Sequence, residues 1–293
     1  MTVANLEMQP TGGATMEWSG PIEATTPPHA LDPILERRER RAARAEEWPR
    51  VSVIIPTLNE ADNLPLVLAE LPETIHEVIV VDGHSTDGTP EVARDCRPDV
   101  RVVMQTGRGK GDALRCGFEA ASGDILVMLD ADGSADPAEI PRFMETLAEG
   151  ADFAKGTRFL EQGGSADLTP LRGLGNHVLT GTVNALFGTS YSDLCYGYNA
   201  FWRHCLPTLQ IDCSGFEVET LINIRVSRAG LDVREVPSFE RERIHGESNL
   251  RTWRDGARVL RTIVRERTRR HTPATRARRY GAAGELSLAG EHV

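Results

Sequence analysis

Two carboxylates one residue apart, Asp130 and Asp132, close the apolar run Ile125-Leu126-Val127-Met128-Leu129. Hard oxygen donors in that pattern suit Mg2+ or Mn2+ bridging a diphosphate rather than a soft metal. A run that is apolar at every position predicts a buried strand with helices over both of its faces. Ligands of open α/β sheets gather outside the carboxyl ends of the strands, which is where Asp130-Ala131-Asp132 would stand.

The same arrangement recurs upstream. Val51-Ser52-Val53-Ile54-Ile55 runs into Pro56-Thr57-Leu58-Asn59-Glu60, and Val78-Ile79-Val80-Val81 runs into Asp82-Gly83-His84-Ser85-Thr86-Asp87 before a helix start near Pro90. Val102-Val103-Met104 reads as a further short strand, followed by Gly107-Arg108-Gly109-Lys110-Gly111-Asp112 and a helix rich in alanine and leucine. That glycine loop lacks the spacing and the Lys-Ser or Lys-Thr ending of a Walker A loop. Strand, polar loop and helix repeating in one order predict an α/β fold with a right-handed, mostly parallel sheet and its chemistry along one edge.

The ordered strings PTLNE, VVDGHSTDGT, GRGKGDALRCGF and LDADGSADP resemble glycosyltransferase family 2, especially the polyprenyl-phosphate sugar synthases such as dolichyl-phosphate mannose synthase. The resemblance runs from about Val51 to about Arg267. It implies a GT-A fold, a UDP- or GDP-linked sugar donor, Mg2+ or Mn2+ as cofactor, and inversion at the anomeric carbon. It places the cation on Asp130 and Asp132, the donor along Asp130-Ala131-Asp132, and the nucleoside among Pro56, Asn59, Glu60 and Asp82. Arg108 and Lys110 would face the diphosphate from a mobile, glycine-flanked loop. Two departures are visible: Ser134 stands where relatives often carry a metal-reaching glutamine, and Gly83 where a second aspartate is frequent.

In the acceptor half, Gly156-Thr157-Arg158 resembles the family's strand-ending G-S-R. Gly163-Gly164-Ser165 reads as a flexible turn, and a helix is expected from Arg172 through Phe187. The stretch around Asp193 resembles D-x-x-S-G-F-R-A with Tyr196 and Asn199 substituted, and Arg243 to Asn249 resembles R-x-x-G-x-S-K with Asn249 for the lysine. The resemblance implies acceptor contacts from Arg158, Arg172, Glu217, Glu219, Arg243 and Ser248. A polyprenyl phosphate is already an anionic nucleophile, whereas a hydroxyl on a saccharide or small metabolite needs a base, for which Asp193 is the first candidate, with Glu217 or Glu219 behind it. Polyprenyl phosphate is the expected acceptor, with the soluble hydroxyl compound as the alternative. A donor-binding or scaffold protein without catalysis is a third reading, disfavoured by the presence of Asp82, Asp130, Asp132 and Asp193 together.

The whole chain of 293 residues accommodates one such domain. We expect a flexible arm over 1–48 with one short polar helix, a catalytic domain over 49–270, and a flexible tail over 271–293. The domain would end in a basic amphipathic helix from Leu250 to Arg270. There Leu250, Trp253, Ala257, Leu260, Ile263 and Val264 form an apolar stripe among arginines, suiting peripheral contact with anionic lipid. Neither a signal peptide nor roughly 18 consecutive apolar residues is present, so a cytoplasmic protein, extending to peripheral contact at the inner face of the plasma membrane, is expected. Five cysteines without a C-x-x-C pair fit reduced thiols, and a net charge of −10 argues against nucleic acid as a partner. The motifs specify neither the sugar nor the oligomeric state.

Overall fold

The structure is a computed structural model that describes residues 49–246 and 251–269. The expected arm over 1–48, the tail over 271–293 and Ser248 lie outside the described residues.

Three parallel strands start the fold: β1 (Val51–Thr57), β2 (Glu77–Asp82) and β3 (Arg101–Met104), alternating with helices α1 (Leu64–Glu70), α2 (Thr89–Cys96) and α3 (Gly109–Ala120). β4 (Ile125–Met128) pairs with β1 in parallel, and a short 3-10 turn at Pro137–Glu139 leads into α4 (Ile140–Ala148). There follow β5 (Phe153–Thr157), β6 (Gly164–Ser165), α5 (Pro170–Phe187), β7 (Asn199–Trp202), α6 (Leu206–Leu209), α7 (Val218–Arg228), β8 (Val233–Pro237), β9 (Phe239–Glu240) and α8 (Thr252–Thr268). The main sheet has the order β3-β2-β1-β4-β7-β5-β8. β7 is antiparallel to both neighbours, with Val127 opposite Ala200, a reversal the strand patterns did not announce.

Period-two alternation sorts the strand residues between two cores. Val53, Ile55, Val78, Val80, Ile125 and Val127 face the layer of α1, α2 and α4. Ile54, Ile79, Val81, Leu126 and Met128 face Leu114 and Phe118 of α3 and Val218, Ile222 and Val226 of α7. Each such fully buried aliphatic side chain contributes roughly 1.5–3 kcal/mol, which holds the strand ends in place. A third, smaller core joins α5, α7 and α8 through Val183, Ile224, Val259 and Ile263.

Helix α5 begins where its local chemistry directs. The Thr169 hydroxyl accepts from the Arg172 N–H, Pro170 occupies the first turn, and Gly188 ends the helix in the left-handed region at φ 68°. Gly164 and Ser165, expected in a flexible turn, instead pair as β6 with β9 in a second, two-stranded sheet. The partner strand lies far downstream, so the pairing left no local trace. All five cysteines are free thiols.

Candidate active site

The loops after β1 and β2 brace each other. Asn59, in the left-handed region at φ 58°, donates its N–H to Ser85 Oγ at 2.8 Å and accepts from the Thr86 N–H at 2.9 Å. Asp82 is fully buried, accepts from the Ser85 N–H at 2.9 Å and stands 3.4 Å from Thr57 Oγ1. It thus braces the turn from within. Pro56 is half-buried in β1 opposite Val81. Glu60 accepts from Asn63 at 2.6 Å and pairs with Arg243 at 3.1 Å; burial pushes its carboxyl up despite both partners.

Each carboxylate of Asp130-Ala131-Asp132 faces one cation supplied by a distant segment. Lys110 Nζ lies 2.7 Å from Asp130 and 2.7 Å from Glu219. Burial disfavours that ammonium, but the two carboxylates outweigh it and hold its pKa well above the ordinary lysine range. Burial in turn pushes the Glu219 carboxyl up, against the pull of Lys110. The backbone at Gly197 runs across this triad so closely that a Cβ would lie 2.6 Å from Glu219 Oε1. Asp132 accepts from the Ser134 N–H at 3.0 Å and from Ser134 Oγ at 2.7 Å, and its other oxygen stands 3.2 Å from Arg243. Ser134 therefore orients Asp132. Among the described residues no three of His, Cys, Asp and Glu converge as a metal cluster, so these two carboxylates form half a cradle. Their hard oxygens fit Mg2+ or Mn2+, with the remaining ligands coming from diphosphate oxygens and water.

The glycine-flanked loop runs into a helix start that packs closely on a neighbouring segment. Gly109, Lys110 and Gly111 form the first turn of α3 and lie against residues 213–215, with the Gly111 N–H donating to Ser214 O at 3.1 Å. A Cβ at Gly109 would meet Ser214 O at 2.2 Å, and one at Gly111 would meet Cys213 O at 2.3 Å. Glycine here allows close approach, and Lys110 is pinned. Arg108 just before the helix is exposed.

In the acceptor half, Arg158 and Asp193 form a buried ion pair. Arg158 at the end of β5 donates to Asp193 through Nε at 2.7 Å and NH2 at 3.0 Å, and to Glu240 through NH1 at 3.0 Å. It is buried and lies over the Tyr196 ring at 5.0 Å, so it is not an open cation for an acceptor. Asp193 is fully buried and also accepts from Asn176 Nδ2 at 3.0 Å. Burial alone would raise its carboxyl, but the Arg158 hydrogen bonds and the charges of Lys155 and Arg158 hold it below the ordinary range. Such a carboxylate, its lone pairs committed and out of reach of solvent, is a poor proton acceptor. Glu217 is buried, accepting from the Gly215 N–H at 3.2 Å. Arg172 sits in the first turn of α5, 3.6 Å from Asp167. Arg243 lies on the donor side, where the Ile244 N–H donates to Asp132 O at 3.3 Å and His245 exchanges hydrogen bonds with Asn63.

Three residues of this network escaped the motifs: Asn63, Asn176 and Glu240. Asn176, Thr180 and Asn184 recur at i, i+4 and i+8 on one face of α5, a polar line that carried a usable signal; Glu240, on a two-residue strand, carried none.

A mostly parallel α/β sheet with Asp-x-Asp after its central strand defines a GT-A glycosyltransferase. The chain belongs to glycosyl transferase family 2, whose family model matches residues 52–207. It is 32% identical to glycosyltransferase AglJ of Haloferax volcanii, over 73% of this chain and 71% of that protein. It is 35% identical to the polyprenol monophosphomannose synthase of Mycolicibacterium smegmatis, over 69% of this chain and 81% of that one. Among solved structures, glucosyl-3-phosphoglycerate synthase from Mycobacterium tuberculosis, in complex with Mn2+, uridine-diphosphate-glucose and phosphoglyceric acid, matches at a TM-score of 0.62 with 26% identity. That match covers 78% of this chain and 83% of the other. The chain is thus a hexosyltransferase of a family in which divalent metal is used.

Proposed function

We propose that this enzyme moves a hexosyl group from a UDP- or GDP-linked sugar to polyprenyl phosphate. The observation that carries the reading is the burial of Asp193 under Arg158, which commits the first candidate base to an ion pair. A phosphate nucleophile needs no base. The polyprenol-phosphate relatives support the same acceptor, and Phe159 and Leu160, exposed just beyond Arg158, offer apolar surface for a prenyl chain.

The acceptor phosphate oxygen attacks the anomeric carbon as the bond from that carbon to the β-phosphate oxygen breaks, inverting the centre and releasing the nucleoside diphosphate. A cation held by Asp130 and Asp132 would supply charge to offset the diphosphate as it leaves. Lys110, anchored between Asp130 and Glu219, keeps a fixed positive charge beside it. Arg243, shared between Asp132 and Glu60, is the cation that re-pairs with phosphate oxygens once Asp132 is otherwise engaged.

The test is transfer from labelled UDP- and GDP-sugars with Mg2+ or Mn2+. Label on polyprenyl phosphate is the expected outcome, whereas label found only on a soluble hydroxyl compound would favour the second reading, in which Asp193 rearranges to act as base. Asp132→Asn should stay folded and lose about a hundredfold or more in turnover, because a neutral amide cannot balance the cation. Near-parental turnover at limiting metal would remove Asp132 from the site.

A further inference from the structure

Helices α5 and α8 are joined through Leu179, Val183 and Phe187 on one and Val259 and Ile263 on the other. Each also turns an apolar face away from that core. On α8, Trp253, Ala257, Leu260 and Val264 recur at i, i+4, i+7 and i+11, one stripe of an α-helix. Trp253 is 81% exposed, Leu260 50% and Val264 54%. The stripe read from sequence is therefore divided, with Ile263 packed inward and its neighbours facing solvent. On α5 the outward side consists of Leu171, Leu174, Val178, Gly181, Thr182 and Ala185. Leu174 is 65% exposed and Val178 60%. Arg172 is the one charged residue among the 18 of this helix. Two adjoining helices with exposed apolar stripes mark an interaction surface.

The charges beside it say what covers it. Arg258 pairs with Asp255, and Arg265 and Arg269 with Asp212. Arg254, Arg261 and Arg267 are exposed and have no carboxylate partner among the described residues. At helical spacing Arg254 and Arg261 border the apolar stripe on one side and Arg267 on the other. In a chain of net charge −10, these three guanidiniums without a carboxylate partner among the described residues stand where the apolar stripe is exposed. Anionic headgroups above acyl chains match both features at once. A second copy does not, since a two-fold contact sets the same arginines of each copy near one another.

We propose that the outer face of α5 and α8 docks on the surface of an anionic bilayer, with Trp253, Leu260, Val264, Leu174 and Val178 entering the interface and Arg254, Arg261 and Arg267 meeting headgroup phosphates. This deepens the lipid-phosphate reading and rests on it for why a membrane is the partner. No helix among the described residues is long and apolar enough to cross a membrane, so the contact is lateral.

The experiment is co-sedimentation of the full chain with vesicles of phosphatidylcholine alone, or of phosphatidylcholine and phosphatidylglycerol in equal parts. The parent should bind the anionic vesicles and release as salt rises. Trp253→Glu with Leu260→Glu should lower partition by roughly tenfold or more, and Arg254, Arg261 and Arg267→Gln together by on the order of a hundredfold. These exposed positions should leave melting temperature unchanged. Absence of binding to anionic vesicles, or variants that partition like the parent, would overturn the docking surface. So would a parent dimer in sedimentation equilibrium that the Trp253 variant dissociates, because a second copy would then own the face. Transfer to a short-chain polyprenyl phosphate in detergent separates the two readings. Transfer that persists without vesicle binding sinks the docking surface alone. Vesicle binding without any lipid-linked sugar leaves docking intact and sinks the acceptor.

Discussion

At the scale of single residues, Asp193 and Arg243 decide how the site is read. Asp193→Asn leaves Arg158 buried with only Glu240 as a charged partner, a loss of about 3 kcal/mol and of roughly 6–12 °C in melting temperature. The melt tests the bracing role, and transfer measured on the folded variant tests the base: a moderate loss fits a brace, abolished transfer a base. Because the Asp193 carboxyl is held below its ordinary value, its contribution is complete above about pH 4 and lost as pH falls through the lower folded value. The parent should therefore lose stability on acidification more steeply than the variant. Arg243→Gln frees Asp132 from its guanidinium, so Mn2+ should bind the donor-free enzyme roughly tenfold more tightly in calorimetry, the equivalent of about 1.4 kcal/mol. Equal affinities would mean that Arg243 does not compete for that carboxylate.

At the scale of elements, the start of α3 couples backbone contact to charge placement. Gly111→Ala drives a Cβ into Cys213 O, at 2.3 Å before any adjustment, and should lower stability by about 1–3 kcal/mol. It should also raise KM for the nucleotide sugar by moving Lys110 off Asp130. Gly181→Ala, mid-helix in open space on α5, should stabilise by about 0.5–1 kcal/mol. If both variants behaved alike, the tight approach of residues 213–215 would be without consequence. Strands β1 to β4 were legible because an apolar run and the polar loop after it are contiguous in the chain. β7, β6 and β9 were not, since their direction and pairing depend on partners that sequence order does not place beside them.

For the molecule as a whole, α8 is fastened to the body by Arg225. That side chain pairs with Glu266 at 2.8 Å and Asp212 at 2.9 Å, and donates to Leu209 O at 2.9 Å and also to Gln210 O. Arg225→Gln leaves Glu266 buried, but Arg265 and Arg269 stand 3.6 Å away and soften the loss. The cost should lie near the low end for breaking a buried pair, about 3 kcal/mol, with a fall of roughly 6–12 °C in a melt followed by circular dichroism. An unchanged melt would mean that the apolar contacts of Val259 and Ile263 hold α8 alone. By itself the sequence determined the α/β class, the Asp-x-Asp after β4, the family and the basic character of the last helix, because each is written in neighbouring residues. Only the tertiary structure decided which of those charges are open. Lys110 meets Glu219 across 109 residues, and Arg243 meets Glu60 across 183. Whether a carboxylate acts as base, ligand or brace depends on partners and burial that folding alone brings to it.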